Sequence, residues 1–257
     1  MRTAPLLVVL ALARAASAQI VQQPEMRGPA LTQAGVRAQE RLKEGQRLMS
    51  EDKFAEAAGV FGEAIALDPL LMMAHYGLGT ARMALKEYAA AIAAFQAARD
   101  AFQKRAAQSE NKRIDNERAR AERLQALKQK ILNSPPTTPF EAAQVQDWQA
   151  EVAALEASQD SSQRASQPPP GLSLALGSAY FRTGQLADAE REYRAAIEAQ
   201  PKLGEPRSNL AVVLLITGHP AEAKEQLKLA KKSGFKPPAG LEADIDAALA
   251  KAPTKTP

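Results

Sequence analysis

The sequence predicts an all-α protein: a helical solenoid of two repeat pairs, separated along the chain by a long helical insertion and followed by a C-terminal capping helix. Three observations predict this fold. The chain of 257 residues is rich in the helix formers Ala, Leu, Glu, Lys, Arg and Gln, whereas only 5% of its residues are aromatic. Its apolar residues recur at three-, four- and seven-residue steps, which is typical of amphipathic helices. The chain also aligns with itself at a shift of 34 residues, a period typical of stacked helical pairs.

The first 18 residues have the features of an export signal. Arg2 gives a basic start, residues 6–13 form an apolar stretch, and Ala16-Ser17-Ala18 fits the small-x-small pattern before a cleavage site. The apolar stretch is shorter than the roughly 20 residues that cross a bilayer. We therefore expect cleavage after Ala18, an exported protein that is periplasmic or secreted, and a flexible lead-in over residues 19–36. The alternatives are an uncleaved anchor and a disordered apolar N-terminus.

Charge and cysteine content limit the classes of partner. Removing Arg2 and Arg14 from the 33 basic residues leaves 31 against 29 acidic ones, so the mature chain is close to neutral. Such a balance does not require a nucleic acid or a membrane surface as a partner. The chain contains no cysteine and therefore no disulfide, so helix packing must supply its stability.

The self-alignment places small and large residues at equivalent positions in both halves of the chain. Gly45 aligns with Gly79, and Gly184 aligns with Gly218. Small residues are expected where two helices approach closely, and a glycine between helices is expected to take a left-handed conformation. Other aligned pairs are Phe54 with Tyr88, Ala57 with Ala91, Phe61 with Phe95, Ala189 with Ala223, and Ala196 with Ala230.

One segment resembles a nearly complete tetratricopeptide repeat, with Leu176, Gly177, Tyr180, Gly184, Ala189, Tyr193, Ala196 and Pro201 at the family's characteristic spacing. Three further segments resemble the same repeat, so that repeats 1 and 2 span residues 37–102 and repeats 3 and 4 span residues 170–235. The chain departs from the family pattern at Asp52 and Lys86, which stand where a glycine between helices is usual. The resemblance implies a curved stack of helix pairs that binds other proteins.

Residues 103–169 are predicted to form the insertion. No glycine or proline occurs from Thr80 to Ser134, so the second helix of repeat 2 is expected to run from about Tyr88 to about Asn133. A proline-rich turn and a second helix follow, and a linker then leads to repeat 3. The stripe Val145, Trp148, Val152 and Leu155 is expected to pack on Leu124, Leu127 and Ile131. Trp148 either fills this hairpin core or contacts a partner.

The chain is expected to end in a capping helix over residues 236–251 and a tail over residues 252–257. Leu241, Ile245 and Leu249 give the capping helix one apolar face, and a solenoid needs a terminal element whose outer face is polar.

No pattern of catalytic or metal-binding residues occurs in the sequence. The two histidines, His75 and His219, lie in different repeats without an adjacent second ligand, and the metalloprotease, redox, serine-hydrolase and phosphate-loop motifs are absent. We therefore predict no catalytic residue, no cofactor and no metal, and expect that the chain is not an enzyme.

The resemblance implies a binding site on the concave face, which the first helix of each repeat lines in this family. The residues at those positions here are Leu42, Met49, Tyr76, Met83, Leu174, Phe181, Val212, Leu215 and Ile216. Apolar side chains at such positions would form a groove for an extended or helical peptide. The alternative is that the insertion folds over these residues and buries them.

Family members that bind a C-terminal carboxylate use Lys and Asn at positions that carry Leu42, Tyr76, Leu174 and Ser208 here. Binding of a C-terminal carboxylate is therefore not expected.

The sequence thus predicts an exported scaffold or adaptor that binds a protein or peptide partner through this groove. Neither nucleic-acid binding nor stable membrane insertion after signal cleavage is expected. The alternative function is structural, with self-assembly through the long insertion.

Overall fold

The computed structural model describes residues 32–157 and 168–251, and these residues form ten α-helices and no strand. In chain order the helices are α1 (Gln33–Ser50), α2 (Phe54–Leu67), α3 (Met72–Ala84), α4 (Tyr88–Asn133), α5 (Pro139–Ala157), α6 (Pro170–Arg182), α7 (Leu186–Ala199), α8 (Gly204–Ile216), α9 (Pro220–Lys232) and α10 (Leu241–Lys251). The all-α prediction is confirmed, and so is the long helix from Tyr88 to Asn133.

Several predicted segments fall outside the described residues: the export signal, most of the lead-in, the centre of the linker, and the tail. The sequence predicts a lead-in through residue 36, whereas α1 begins at Gln33. The earlier start has a local cause, because the Thr32 hydroxyl accepts a hydrogen bond from the Gly35 backbone N–H at 3.1 Å. This side-chain cap satisfies one of the free N–H groups at the start of the helix.

The described residues pack as two units. The first contains residues 32–103 and 168–251 and holds all four repeats, and the second contains residues 104–157 of the insertion. Helix α4 contributes its first part to the repeat unit and its remainder to the insertion unit. No helix of the described ranges is long and apolar enough to cross a membrane.

Within the repeat unit, glycines allow the two helices of a repeat to approach closely. A Cβ atom added at Gly45 would lie 2.5 Å from the Phe61 ring, and one added at Gly79 would lie 2.5 Å from the Phe95 ring. Both distances are far below normal carbon–carbon contact, so only glycine fits at these crossings. The spacing of small and large residues along the sequence therefore predicts these contacts correctly.

The turns between paired helices use one left-handed residue each. Gly184 has a φ of 76° and Gly218 a φ of 83°, whereas Asp52 and Lys86 adopt φ values of 57° and 62° at the equivalent positions of repeats 1 and 2. The backbone therefore keeps its left-handed turn where the sequence departs from glycine. The side chains at Asp52 and Lys86 carry the steric cost that glycine avoids.

Repeats 2 and 3 stack directly on each other, although the insertion separates them in sequence. The Gln96 side-chain amide donates to the Tyr180 hydroxyl at 2.8 Å. The Arg99 guanidinium makes two hydrogen bonds, of 3.1 and 2.5 Å, to the buried Glu192 carboxylate. One hydrophobic core continues from Tyr76 in α3 to α10. The four repeats thus form an uninterrupted stack within their unit.

Helix α10 closes the C-terminal end of this stack. Its Leu241 and Ile245 side chains are buried in the core that they share with α8 and α9. Ion pairs at its surface link Lys224 to Asp246 and Lys231 to Glu242. The helix covers apolar surface of repeat 4 with one face and leaves charged residues on the other.

In the insertion unit, α5 lies beside the distal part of α4. Arg123 pairs with Glu151 at 2.8 Å, and the Lys130 ammonium lies 5.8 Å from the centroid of the half-buried Trp148 ring. Leu127 is the fully buried apolar residue of this segment, with 1% of its surface exposed. Trp148 therefore takes part in the packing of α5 on α4 and also makes a cation–π contact.

Candidate functional site

All nine predicted groove residues lie on the first helices of the repeats and within the repeat unit. Leu42 and Met49 are on α1, Tyr76 and Met83 on α3, Leu174 and Phe181 on α6, and Val212, Leu215 and Ile216 on α8. The nine residues differ strongly in solvent exposure: three are buried, and six keep surface that a ligand could reach.

Three of the nine are core residues. Leu42, Tyr76 and Leu174 are only 7%, 6% and 3% exposed, and the Tyr76 ring packs against Phe95 with centroids 5.5 Å apart. A side chain with so little free surface gains little from a ligand, since apolar stabilisation scales with the area removed from water. These three residues belong to the hydrophobic cores of the repeat unit.

The remaining six keep accessible apolar surface. Met83, Phe181, Val212 and Leu215 are half-buried against the larger core, Met49 against the smaller core of repeats 1 and 2, and Ile216 is 56% exposed. Most of this surface lies on α3, α6 and α8.

A polar cluster on the same face of α8 escaped the sequence prediction. It consists of Glu205, Ser208 and Asn209, which are 8%, 0% and 6% exposed. Their spacing puts them on one side of the helix with Val212, which follows Glu205 by two helical turns. Stepping back by seven residues from Val212, a predicted groove residue, would have identified Glu205.

The three side chains lack partners among the described residues. The Glu205 carboxylate has neither an ion pair nor a hydrogen bond there, and the Ser208 Oγ and the Asn209 Nδ2 are buried without a hydrogen-bond partner. Buried polar groups in folded proteins are nearly always hydrogen-bonded, so two buried, unpaired atoms next to an unpaired carboxylate on one helix face are unusual.

The Glu205 carboxylate acts electrostatically on two tyrosine hydroxyls. Burial raises the pKa of Glu205 to about 7. The pKa of Tyr76 is raised to about 12, mainly by burial and also by the negative charge of Glu205, and the Thr80 hydroxyl partly offsets the rise. The pKa of Tyr193 is raised by burial and by Glu205 and lowered by Ser178 and Arg182. The charge of Glu205 therefore acts on one tyrosine of α3 and one of α7.

Arg182 is the basic residue that acts on this region. Its guanidinium lies 5.7 Å from the centroid of the Tyr88 ring, and its Nε is buried without a hydrogen-bond partner among the described residues. Its charge affects the pKa of Tyr193, whereas the pKa shift of Glu205 comes from burial. Glu205 thus remains without a countercharge in the repeat unit.

The two histidines are bound to their own turns. The His75 Nε2 lies 3.0 Å from the Pro69 carbonyl oxygen, and the His219 Nδ1 lies 3.2 Å from the Thr217 hydroxyl. Across the described ranges, no group of three His, Asp or Glu side chains is arranged to hold a metal ion. Two shallow surface depressions, one on α7 and one between α1 and α2, are lined mainly by charged residues and lie apart from the predicted groove.

Comparisons with known proteins agree with the repeat architecture. The sequence profile of a family described as tetratricopeptide repeat matches residues 42–110 and residues 174–237, which together make up just over half of the chain. The two matched segments correspond to repeats 1 and 2 and to repeats 3 and 4. A search of curated proteins found no sequence relative.

Solved structures were also compared with the chain. The crystal structure of MamA is 16% identical, covers 86% of this chain and 86% of its own, and gives a TM-score of 0.48. The crystal structure of PilW, a type IV pilus biogenesis factor, is 17% identical, covers 86% of this chain and 89% of its own, and gives a TM-score of 0.43. PilF of Pseudomonas aeruginosa is 14% identical, covers 85% of this chain and 90% of its own, and gives a TM-score of 0.35.

Proposed function

The chain belongs to the tetratricopeptide repeat family, and from that premise we propose that it is a protein–protein interaction scaffold whose repeat groove holds a segment of a partner protein. The observation that carries the proposal is the accessible apolar surface of Phe181, Leu215 and Ile216 on consecutive first helices of one packing unit. Half-buried apolar side chains on a rigid scaffold provide contact area at a small entropic cost.

We further propose that the scaffold acts outside the cytoplasm, in the periplasm or as a secreted protein. This part of the proposal rests on the apolar residues 6–13 and the small residues Ala16-Ser17-Ala18. We also propose that the protein binds its partner without catalysis and without a cofactor. In support, His75 and His219 each contact a residue of their own turn. Among the described residues, the Glu205 carboxylate has no side chain paired with it that could share a catalytic role.

The groove is tested by introducing charge at its apolar surface. We expect a Phe181→Glu/Leu215→Glu double variant to retain its helical circular dichroism spectrum and to lose at least about tenfold in affinity for its partner, since each carboxylate would need to be desolvated at the contact. The single variant Ile216→Glu changes a residue that is 56% exposed and therefore leaves the core intact. The measurement is quantitative capture of partner proteins from an envelope extract of the native host.

Leu229→Glu provides the matched control, because Leu229 is 38% exposed on α9 and lies outside the groove. This variant should capture the same partners as the parent protein. If folded groove variants also capture them in unchanged amounts, the groove is not the binding site.

A second candidate function is self-assembly through the insertion. Leu132 at the end of α4 and Phe140 at the start of α5 are 73% and 78% exposed, the two most exposed large apolar side chains of the described residues. Both flank the proline-containing turn of the insertion unit. Such exposure of large apolar side chains on both sides of one turn favours a protein contact surface at this end of the insertion.

Self-assembly is tested with a Leu132→Glu/Phe140→Glu variant. If the insertion mediates assembly, light scattering should give a mass above that of the monomer for the parent protein and the monomer mass for the variant, because the charges remove the apolar contact. Leu229→Glu should assemble as the parent does. A monomeric parent protein at high concentration would exclude this function and would leave the groove proposal unaffected.

A further inference from the structure

The polar cluster of Glu205, Ser208 and Asn209 is costly to the free protein. Each of these side chains is more than nine-tenths buried, and among the described residues none of the Glu205 carboxylate, the Ser208 Oγ and the Asn209 Nδ2 has a hydrogen-bond partner. Burial without compensating hydrogen bonds is unfavourable for neutral polar groups and more so for a charged one. The buried, unpaired Ser208 Oγ and Asn209 Nδ2, next to the unpaired Glu205 carboxylate on the same helix face, indicate a site that a ligand completes.

The unpaired atoms specify what that ligand must provide. The ionised Glu205 carboxylate only accepts hydrogen bonds, the Ser208 hydroxyl both donates and accepts, and the Asn209 Nδ2 only donates. A suitable ligand therefore presents a positively charged N–H donor and, close to it, a carbonyl oxygen. A Lys or Arg residue within a peptide has both groups, in its side chain and its main chain.

Among the described residues, no basic side chain pairs with Glu205. Arg182 lies over the Tyr88 ring, and Arg207 on α8 donates to the Pro201 carbonyl oxygen and to Gln226. On α9, Lys224 and Lys231 pair with carboxylates of α10. The titratable groups that face Glu205 are the hydroxyls of Tyr76 and Tyr193, which carry no positive charge.

The proposed function supplies the setting for such a ligand, because the cluster shares one face of α8 with the groove residue Val212. Resting on that function, we propose that Glu205, Ser208 and Asn209 form a subsite for the side chain of a Lys or Arg residue in the bound partner segment. The apolar residues of α6 and α8 contact the neighbouring residues of that segment, and Glu205 selects for the positive charge. Lysine and arginine share the cationic N–H chemistry, and the experiment distinguishes them.

The test uses a synthetic library of short random peptides, acetylated and amidated so that side chains carry their only charges. The full chain should enrich peptides that contain Lys or Arg. The tightest peptide is then resynthesised with Lys, Arg, Gln or norleucine at that position. Replacing Glu205→Gln should weaken binding of the cationic peptide about tenfold and leave binding of the norleucine peptide unchanged. Glu225→Gln is the matched control, since Glu225 is exposed on α9, and it should bind as the parent does.

The outcomes separate this proposal from the groove itself. If Glu205→Gln binds the cationic peptide as tightly as the parent while Phe181→Glu/Leu215→Glu does not bind it, the subsite is refuted and the groove stands. Enrichment without a preference for Lys or Arg also refutes the subsite. Peptides that bind the groove double variant and the parent equally well contradict the proposed function, and a library that yields no binder contradicts both.

Discussion

A Gly177→Leu variant is expected to lose about 3 kcal/mol of its free energy of unfolding. A Cβ atom added at Gly177 would lie 2.6 Å from Cε1 and 2.7 Å from Cδ1 of the Tyr193 ring. Tyr193 is 2% exposed and packs in the core with residues of α6 and α7, so a shift of its ring displaces other core side chains. A leucine at this crossing forces the two helices apart and disrupts the packing of repeat 3. Urea denaturation followed by circular dichroism measures the loss.

The same substitution at Gly59 provides a control with an expected effect of opposite sign. Gly59 lies in the interior of α2, is exposed, and has no heavy atom within 4 Å of an added Cβ. Leucine at this position should raise stability by up to about 1 kcal/mol, because glycine is a poor helix former. Equal stability of Gly177→Leu and the parent would show that the crossing at Tyr193 is looser than the structure describes.

The parts of the fold that the sequence predicts correctly depend on local periodicity and on the 34-residue register. Helix α4 from Tyr88 to Asn133 follows from the absence of glycine and proline, which allows the hydrogen-bonded ladder to continue. The tight crossing at Gly177 follows from its fixed spacing to Tyr193 within one repeat. Both features connect residues within one helix or one helix pair, and that is the range over which a repeat pattern carries information.

Contacts between repeats could not be predicted in this way. Arg99 and Glu192 are 93 positions apart, and nothing in either local sequence shows that they form a buried ion pair. The same holds for the groove, where a residue's accessibility depends on the neighbouring repeat: Leu42, Tyr76 and Leu174 occupy groove positions but are buried. Glu205 was missed for a related reason. An acidic residue in the first turn of a helix is normally a solvent-exposed partner of the helix dipole, and only the packed structure shows it to be buried.

The buried Glu205 should make the stability of the protein depend on pH. Burial raises its pKa to about 7 in the folded protein, whereas an exposed glutamate, as in the unfolded chain, has a pKa of 4.5. Between these values the folded state holds a proton that the unfolded state has released, so the free energy of unfolding falls as the pH rises. From about pH 5 to about pH 8 the expected loss from this group is roughly 2–3 kcal/mol. Below the unfolded-state value, Glu205 is protonated in both states and contributes no pH dependence.

A Glu205→Gln variant should therefore be more stable than the parent above about pH 7, by roughly 3 kcal/mol, and similar to it at low pH. Denaturation of both proteins across this pH range gives the difference in their free energies of unfolding, in which the contributions of the groups that the two proteins share cancel. Glu225→Gln, which removes an exposed carboxylate of α9, is the matched control. A stability difference between Glu205→Gln and the parent that does not change with pH would mean that solvent reaches the Glu205 carboxylate.

Glu205→Gln is expected to stabilise the free protein and also to weaken its binding of a cationic peptide. These opposite effects distinguish a residue that is retained for a ligand from a defect in packing.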